Sequence, residues 1–400
     1  MPMQRRQVIA GIGGAATLSV AGCLGTDDQG TTLWNEFENG EEETLEEHLD
    51  AFNEGRDDEL GAENIADMEE QLNTAIPAGD GPETFAWAHD WLGRLHDQEF
   101  LHDASGSLDL DIGSEFTADA ADAVQWEGGT YGVPYAAETV TLMYNPELVE
   151  EPPETLSEMV DIMEDHHDPS SNQFGLSYPP IDPYFVSAFL HAFGGRTFHT
   201  DSGELGIEDD EFVEGLELLR DNLWEYVPED PSYESQMTPF NDGTAPFAIN
   251  GPWQVSGFRD AGIDATLAPL PDIEGGSPTP YTGIQVWYFT SALGDVDEAA
   301  TEMTMDWAEW YATTEDVITT NANRHGLIPV HQEYADSDDL GEDVETFLET
   351  VETGTLMPAD PRMDLVFTPL EDALERVFNG DADAAEAMES AATEIRNRWD

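Results

Sequence analysis

Residues 79–91, GDGPETFAWAHDW, constrain this chain more than any other stretch. Gly79, Gly81 and Pro82 interrupt the helical pattern before them, because glycine relaxes the limit on φ and proline removes a backbone donor. A strand can then begin. Thr84, Phe85, Ala86, Trp87 and Ala88 suit a pleated, buried segment. Its C-terminal end delivers Trp87, His89, Asp90 and Trp91 together to the mouth of a sheet, where open α/β sheets bind ligands. Two tryptophans at a strand end read either as core residues or as one wall of a site, and the rest of the chain must decide.

At 400 residues the chain exceeds what one hydrophobic core serves, so two lobes are expected. Charge excludes whole classes of partner. Against 87 Asp and Glu stand 12 basic residues, all of them arginine, for a formal net charge of −75. Such a surface repels nucleic acid and anionic membrane. The acids lie along helices whose apolar positions keep their period, so they form a solvated coat on a folded protein rather than a disordered tail. This lysine-free pattern resembles the proteins of extreme halophiles, including halophilic archaea.

Cys23 is the single cysteine, which excludes an intramolecular disulfide and a cysteine zinc site. Before it come Arg5 and Arg6 and an apolar run, residues 8–22, too short to span a bilayer comfortably and placed as in a signal peptide. The arginine pair resembles a twin-arginine export signal, and Val20-Ala21-Gly22-Cys23 resembles a lipobox whose cysteine is lipidated. Residues 1–23 are therefore expected to be signal and anchor, and 24–30 a polar tether.

Further along, short strands alternate with amphipathic helices, an α/β pattern. Strands are expected over 31–34, 84–88, 139–144, 245–250 and 284–290, with Glu138 at the entrance of the third. Helices are expected over 42–53, 65–76, 155–166, 182–193, 209–224, 296–312, 343–353, 367–378 and 384–399. Several of the connecting loops carry an aromatic beside a carboxylate or amide: Trp87 with Asp90, Glu138 near Tyr135, Asp182 with Tyr184, Trp253 after Asn250. Phe367 follows Met357 and Arg362 in a proline-rich connection. Neutral polyols present C–H faces and a rim of hydroxyls, so they call for flat apolar platforms and carboxylate acceptors.

Paired carboxylates could instead mark a secreted glycoside hydrolase, which needs two of them roughly 5–10 Å apart. Among so many acids no pair stands out. No G-x-S-x-G, H-E-x-x-H, Walker A or G-x-G-x-x-G motif occurs, so no cofactor and no nucleophilic triad are expected. Asp165-His166-His167-Asp168 reads as a solvated helix end rather than a metal site.

GDGPETFAWAHD at 79–90, PYAAETVTLMYNPEL at 134–148, DPYF at 182–185, AINGPW at 248–253 and GTLMPADPRM at 354–363 resemble, in order and spacing, the motifs of maltose/maltodextrin-binding proteins. These are the extracytoplasmic subunits of ATP-driven (ABC) sugar importers. The resemblance implies an α/β, two-lobe periplasmic-binding-protein-like fold (class II), with crossing segments as a hinge and the ligand cleft between lobes. One lobe would comprise 31–135 plus about 285–338, the other about 138–283 plus about 339–400. It also implies a monomer without enzymatic activity, anchored at the extracellular face and delivering maltose or a malto-oligosaccharide to ABC transporter membrane subunits. Trehalose or a glycerol phosphodiester is an alternative solute.

Position by position, the resemblance implies sugar contacts from Trp87, Asp90, Glu138, Tyr184, Trp253 and Met357, with Glu69 and Glu70 as an acidic pair on the preceding helix. Phe367 stands where the family has a stacking tryptophan. Asp182 replaces a glutamate, Trp91 replaces an arginine, and Glu36 or Glu38 substitutes for contacts near the first strand.

The acidic coat generates one prediction. Salt at molar concentration shortens the screening length to about 3 Å and relieves self-repulsion. The melting temperature followed by circular dichroism should rise steeply between low and molar KCl; a flat profile would contradict the halophilic reading.

Overall fold

The computed structural model describes residues 31–37, 40–335, 337 and 340–399. Arg5, Arg6, Cys23 and Glu38, and with them the expected export signal and lipid anchor, lie outside the described residues. Strand β1 (Thr32–Asn35) is followed by α1 (Gly40–Asn53), which buries Leu45, Leu49 and Phe52 on one face as their spacing predicts. Strand β2 (Gly61–Asn64) has no apolar pattern and all of its residues are exposed. Parallel backbone pairing with β1 holds it at the sheet edge, so side-chain periodicity does not reveal it. The helix expected over 65–76 is α2 (Met68–Ala78), closed by Gly79 at φ 78°. Strand β3 (Thr84–Ala88) has the bounds read from the sequence.

Residues 132–138, for which the sequence suggests no strand, form a full strand, β4 (Gly132–Glu138). Both of its faces are buried, so it lacks the alternation that marks a half-exposed strand. Glu138 accordingly ends β4 rather than opening the next strand. Only Thr139 and Val140, both fully buried, separate it from β5 (Thr141–Tyr144). Helix α3 (Leu156–His166) starts at Thr155, which forms a capping box with Glu158. After β6 (Leu176–Ser177), α4 (Pro183–Leu190) starts from Asp182 with proline at its first position, and α5 (Asp210–Asn222) packs against it. Strand β7 (Phe247–Asn250) runs through Gly251 into α6 (Pro252–Asp260), and β8 (Thr266–Ala268) follows.

The chain then returns along β9 (Tyr281–Phe289), with Thr139 Oγ1 donating to Tyr281 O at 2.9 Å where the two crossings meet. Helices α7 (Glu298–Thr313) and α8 (Glu315–His325), strand β10 (Ile328–Pro329), α9 (Glu342–Thr353) and β11 (Thr355–Leu356) complete this part. Helices α10 (Phe367–Phe378) and α11 (Ala384–Trp399) pack on one another at the end.

These strands form two main sheets. One has the order β10-β4-β9-β3-β1-β2, with β11 beside β9; the other runs β8-β5-β7-β6. Two apolar clusters pack on them, and the first also takes in Met143 and Ala248 from one face of the second sheet. Around the first, Phe85, Trp287, Tyr288 and Trp307 are fully buried, and Phe52 meets Trp307 edge-on at 5.3 Å. Around the second lie Phe189, Phe212, Leu216, Phe247 and the inner faces of α10 and α11. The chain passes between the sheets at 139–140, at 269–280 and after β11, so two α/β lobes share a three-segment waist. Among the described residues no helix is long and apolar enough to cross a membrane.

Phe212 is fully buried in the second core and tests its packing. Phe212→Ala should lower unfolding stability in molar KCl by about 3–5 kcal/mol, read as a drop in urea midpoint at unchanged slope.

Candidate functional site

The C-terminal ends of β3 and β4 and the loop leaving β7 converge on a cavity of about 440 Å3. From the first lobe come Trp87 at the end of β3, and Asp90 and Trp91 from the short 3-10 turn His89–Trp91 that follows. The two indoles stack, centroids 4.4 Å apart at 27°. Glu138 enters from the end of β4. From the second lobe come Tyr184, in the first turn of α4, and Trp253, in the first turn of α6; their rings lie 6.2 Å apart at 44°. Phe185 meets Trp253 edge-on at 6.1 Å. The Trp253 indole folds back over Gly251, where a Cβ would come within 2.1 Å of the ring, so only glycine permits this pose. Two aromatic walls from different lobes therefore face a space between them.

One histidine fixes the floor. His89, 1 % exposed, donates from Nε2 to Met357 O at 2.9 Å and accepts at Nδ1 from Ile284 N at 3.0 Å. Both nitrogens are used by the neutral ring, and burial pushes its pKa down to about 4. This pins the turn bearing Asp90 and Trp91 to β9 and to the segment that leaves β11.

Asp90 and Glu138 each keep a partly open face on the cavity, yet protein removes most of their solvation. Burial pushes the Asp90 carboxyl up to about 7, with the Glu138 charge adding to it and Arg94 opposing. Burial likewise raises Glu138 to about 7 against a hydrogen bond from Gln285. Tyr135, which lines the cavity, is the extra residue of a bulge between the Gln285–Ala136 and Val286–Pro134 pairs; its hydroxyl reaches Gln285 Oε1 at 3.4 Å. The Tyr184 hydroxyl is buried without a partner, which costs about 1–3 kcal/mol that an entering oxygen would relieve. Among the described residues no arginine lines the cavity, and His325 is pushed down to about 4 by burial. The space suits a neutral, hydroxyl-rich molecule with flat apolar faces.

Trp87, Asp90, Trp91, Glu138, Tyr184, Trp253 and Met357 thus come together around one cavity. Glu69 and Glu70 do not. They line an adjoining groove of about 540 Å3 that shares Glu36, Trp87 and Trp91 with the cavity. Glu69 is held by Arg94 Nη1 at 2.6 Å, and the Glu36 carboxylate accepts from Asp67 N and Met68 N, each at 3.3 Å, at the start of α2. Asp182 is also outside the lining. Its carboxylate accepts from Tyr184 N at 2.8 Å, so it serves the site by capping the helix that presents Tyr184. Phe367 opens α10 and packs against the second core instead of facing the cavity. Asp168 caps the turn Pro169–Ser171.

Asn321 and His325 line the cavity from α8, a helix absent from the sequence reading. The signals were there: Glu315 and Asp316 in a first turn, Arg324 and His325 in a last turn, and Gly326 beyond.

A family model described as "Bacterial extracellular solute-binding protein" matches residues 48–348. A maltotriose-binding protein of Pyrococcus abyssi is 34 % identical over 80 % of this chain and 71 % of its own length. A maltooligosaccharide ABC transporter solute-binding lipoprotein of Streptococcus pneumoniae is 21 % identical over 82 % of this chain and 78 % of its own. Among solved structures, the Thermus thermophilus maltotriose binding protein, bound with maltotriose, superposes with a TM-score of 0.82 at 24 % identity, covering 92 % of this chain and 100 % of that one. With the waist, the two facing walls and a match across three quarters of its length, the chain belongs to the bacterial extracellular solute-binding protein family.

Proposed function

We propose that the protein is the extracytoplasmic binding subunit of an ABC sugar importer and that its cleft takes maltose, a malto-oligosaccharide or a related glucoside. The observation that carries this reading is the pair of aromatic walls, Trp87 with Trp91 and Tyr184 with Trp253, drawn from different lobes around Asp90 and Glu138. The maltotriose-binding and maltooligosaccharide-binding relatives support the choice of sugar. A glycerol phosphodiester fits less well, because among the described residues no arginine lines the cavity to neutralise it.

A ligand shifts an open–closed balance only by its differential affinity, so both walls must touch the same sugar. Ring faces lie against the indoles while hydroxyls donate to the two carboxylates, and closure excludes water from both contacts. No covalent step is required. In our reading export follows the twin-arginine route through Arg5 and Arg6, Cys23 carries the lipid, residues 24–30 tether the monomer at the outer membrane face, and the closed form is what the transporter subunits read.

Titration calorimetry with maltotriose should show Trp253→Ala and Asp90→Ala each weakening binding by about 10- to 100-fold, and the sugar should be recovered intact. Normal affinity in both variants would overturn the site assignment, and glucose release would favour the hydrolase.

The raised pKa values set a pH dependence. An ionised carboxylate accepts a hydroxyl proton more strongly than a neutral acid, so binding favours the charged forms. Affinity should therefore rise as pH increases through about 7, with proton release measurable in buffers of different ionisation enthalpy, and Asp90→Asn should flatten the profile. In the empty protein the linkage has the opposite sense. Folded Asp90 and Glu138 hold protons that the unfolded chain has lost, so their contribution to stability declines from the ordinary carboxylate range up to about 7 and is level above it.

A further inference from the structure

The Trp87–Trp91 stack has a second face. Arg94, one turn on in the helix Leu92–Asp97, lays its guanidinium over the outer ring of that pair, 4.5 Å from the Trp91 centroid. The Arg94 side chain is only 8 % exposed and meets two carboxylates, Glu69 Oε1 at 2.6 Å from Nη1 and Asp364 Oδ2 at 2.9 Å from Nε. Glu69 stands on α2, beside the first sheet. Asp364 lies in the 3-10 turn Pro361–Leu365, whose Met363 is buried in the second core. The two segments approach closely: a Cβ on Gly93 would come within 2.2 Å of Ala359 O.

We propose that Arg94 is a positioning residue for ligand recognition, clamping the Trp87–Trp91 pair from behind and tying it across the waist to the Asp364 turn. The wall offered to the sugar is then the free face of Trp87 on a rigid stack backed by Trp91 and Arg94, rather than two independent side chains. This rests on the sugar-binding reading above. A planar, permanently charged guanidinium can stack and bridge two carboxylates at once, which a lysine ammonium cannot reproduce. The same charge reaches Asp90, which also faces Glu138, Asp364 and the hydroxyls of Tyr184, Tyr281 and Tyr288.

The test uses the full folded domain in molar KCl and two readouts. Stacked indoles give an exciton couplet in circular dichroism, which Trp91→Phe assigns. Arg94→Met should abolish the couplet, weaken maltotriose binding about tenfold or more, and move the pH midpoint of binding upward because Asp90 loses its cation. Arg94→Lys should restore the midpoint but not the couplet. Should Arg94→Met fail to fold, Asp364→Asn, altering a partly exposed carboxylate, should diminish both couplet and affinity. An unchanged couplet, or a lost couplet with wild-type affinity, would overturn the proposal. If the wild-type protein binds no neutral oligosaccharide, the sugar reading fails while the couplet still decides whether Arg94 holds the platform.

Discussion

The site depends first on a neutral imidazole with both nitrogens committed. His89 joins the end of β3 to the backbone of Ile284 in β9 and of Met357 just past β11, so the turn that carries Asp90 and Trp91 is registered both against its own sheet and against one crossing segment. Burial keeps the ring neutral, and neutrality lets one nitrogen accept while the other donates. A charged imidazolium would present a second N–H to the Ile284 N–H. Everything above this joint, including the stacked indoles and the raised carboxyl of Asp90, inherits its geometry.

The chain handles its acids in two opposite ways. Among the described residues, many acids remain in solvent on helix faces and loops, where salt screens them. Asp90 and Glu138 are taken out of water, which raises both, and the Glu138 charge raises Asp90 further. The paired arginines sit elsewhere: Arg324 with Glu47 and Arg396 with Glu208 at the surface, Arg94 behind the wall. Among the described residues the cavity itself is left without a permanent cation.

How far the sequence could be read depended on whether a local rule was in force. Strand 84–88 was legible because glycine and proline isolate it, and helix 183–190 because an aspartate cap and a first-turn proline announce it. Strand 132–138 was not, since two buried faces erase alternation and Pro134 sits at a bulge where no donor is needed. Among site residues, Trp87, Asp90, Tyr184 and Trp253 were legible as aromatics and acids just past strand ends or in first helical turns. Asp182 and Glu69 were misplaced for one reason. A carboxylate near a site looks the same in sequence whether it meets ligand, a backbone N–H or an arginine, and only the fold shows that Asp182 caps Tyr184 and that Glu69 meets Arg94. The Arg94–Asp364 pair is distant in the chain and leaves no local trace.

The crossing at Thr139 and Val140 has a mechanical consequence. Two fully buried residues, one hydrogen-bonded to the returning strand at Tyr281, contain no slack. Such a joint allows torsion about itself but very little translation, so the lobes behave as two plates on an axle. Their relative motion then reduces largely to one angle, and any surface spanning both plates has its curvature set by that angle alone. A membrane partner fitted to that curvature could sense occupancy without touching what lies inside.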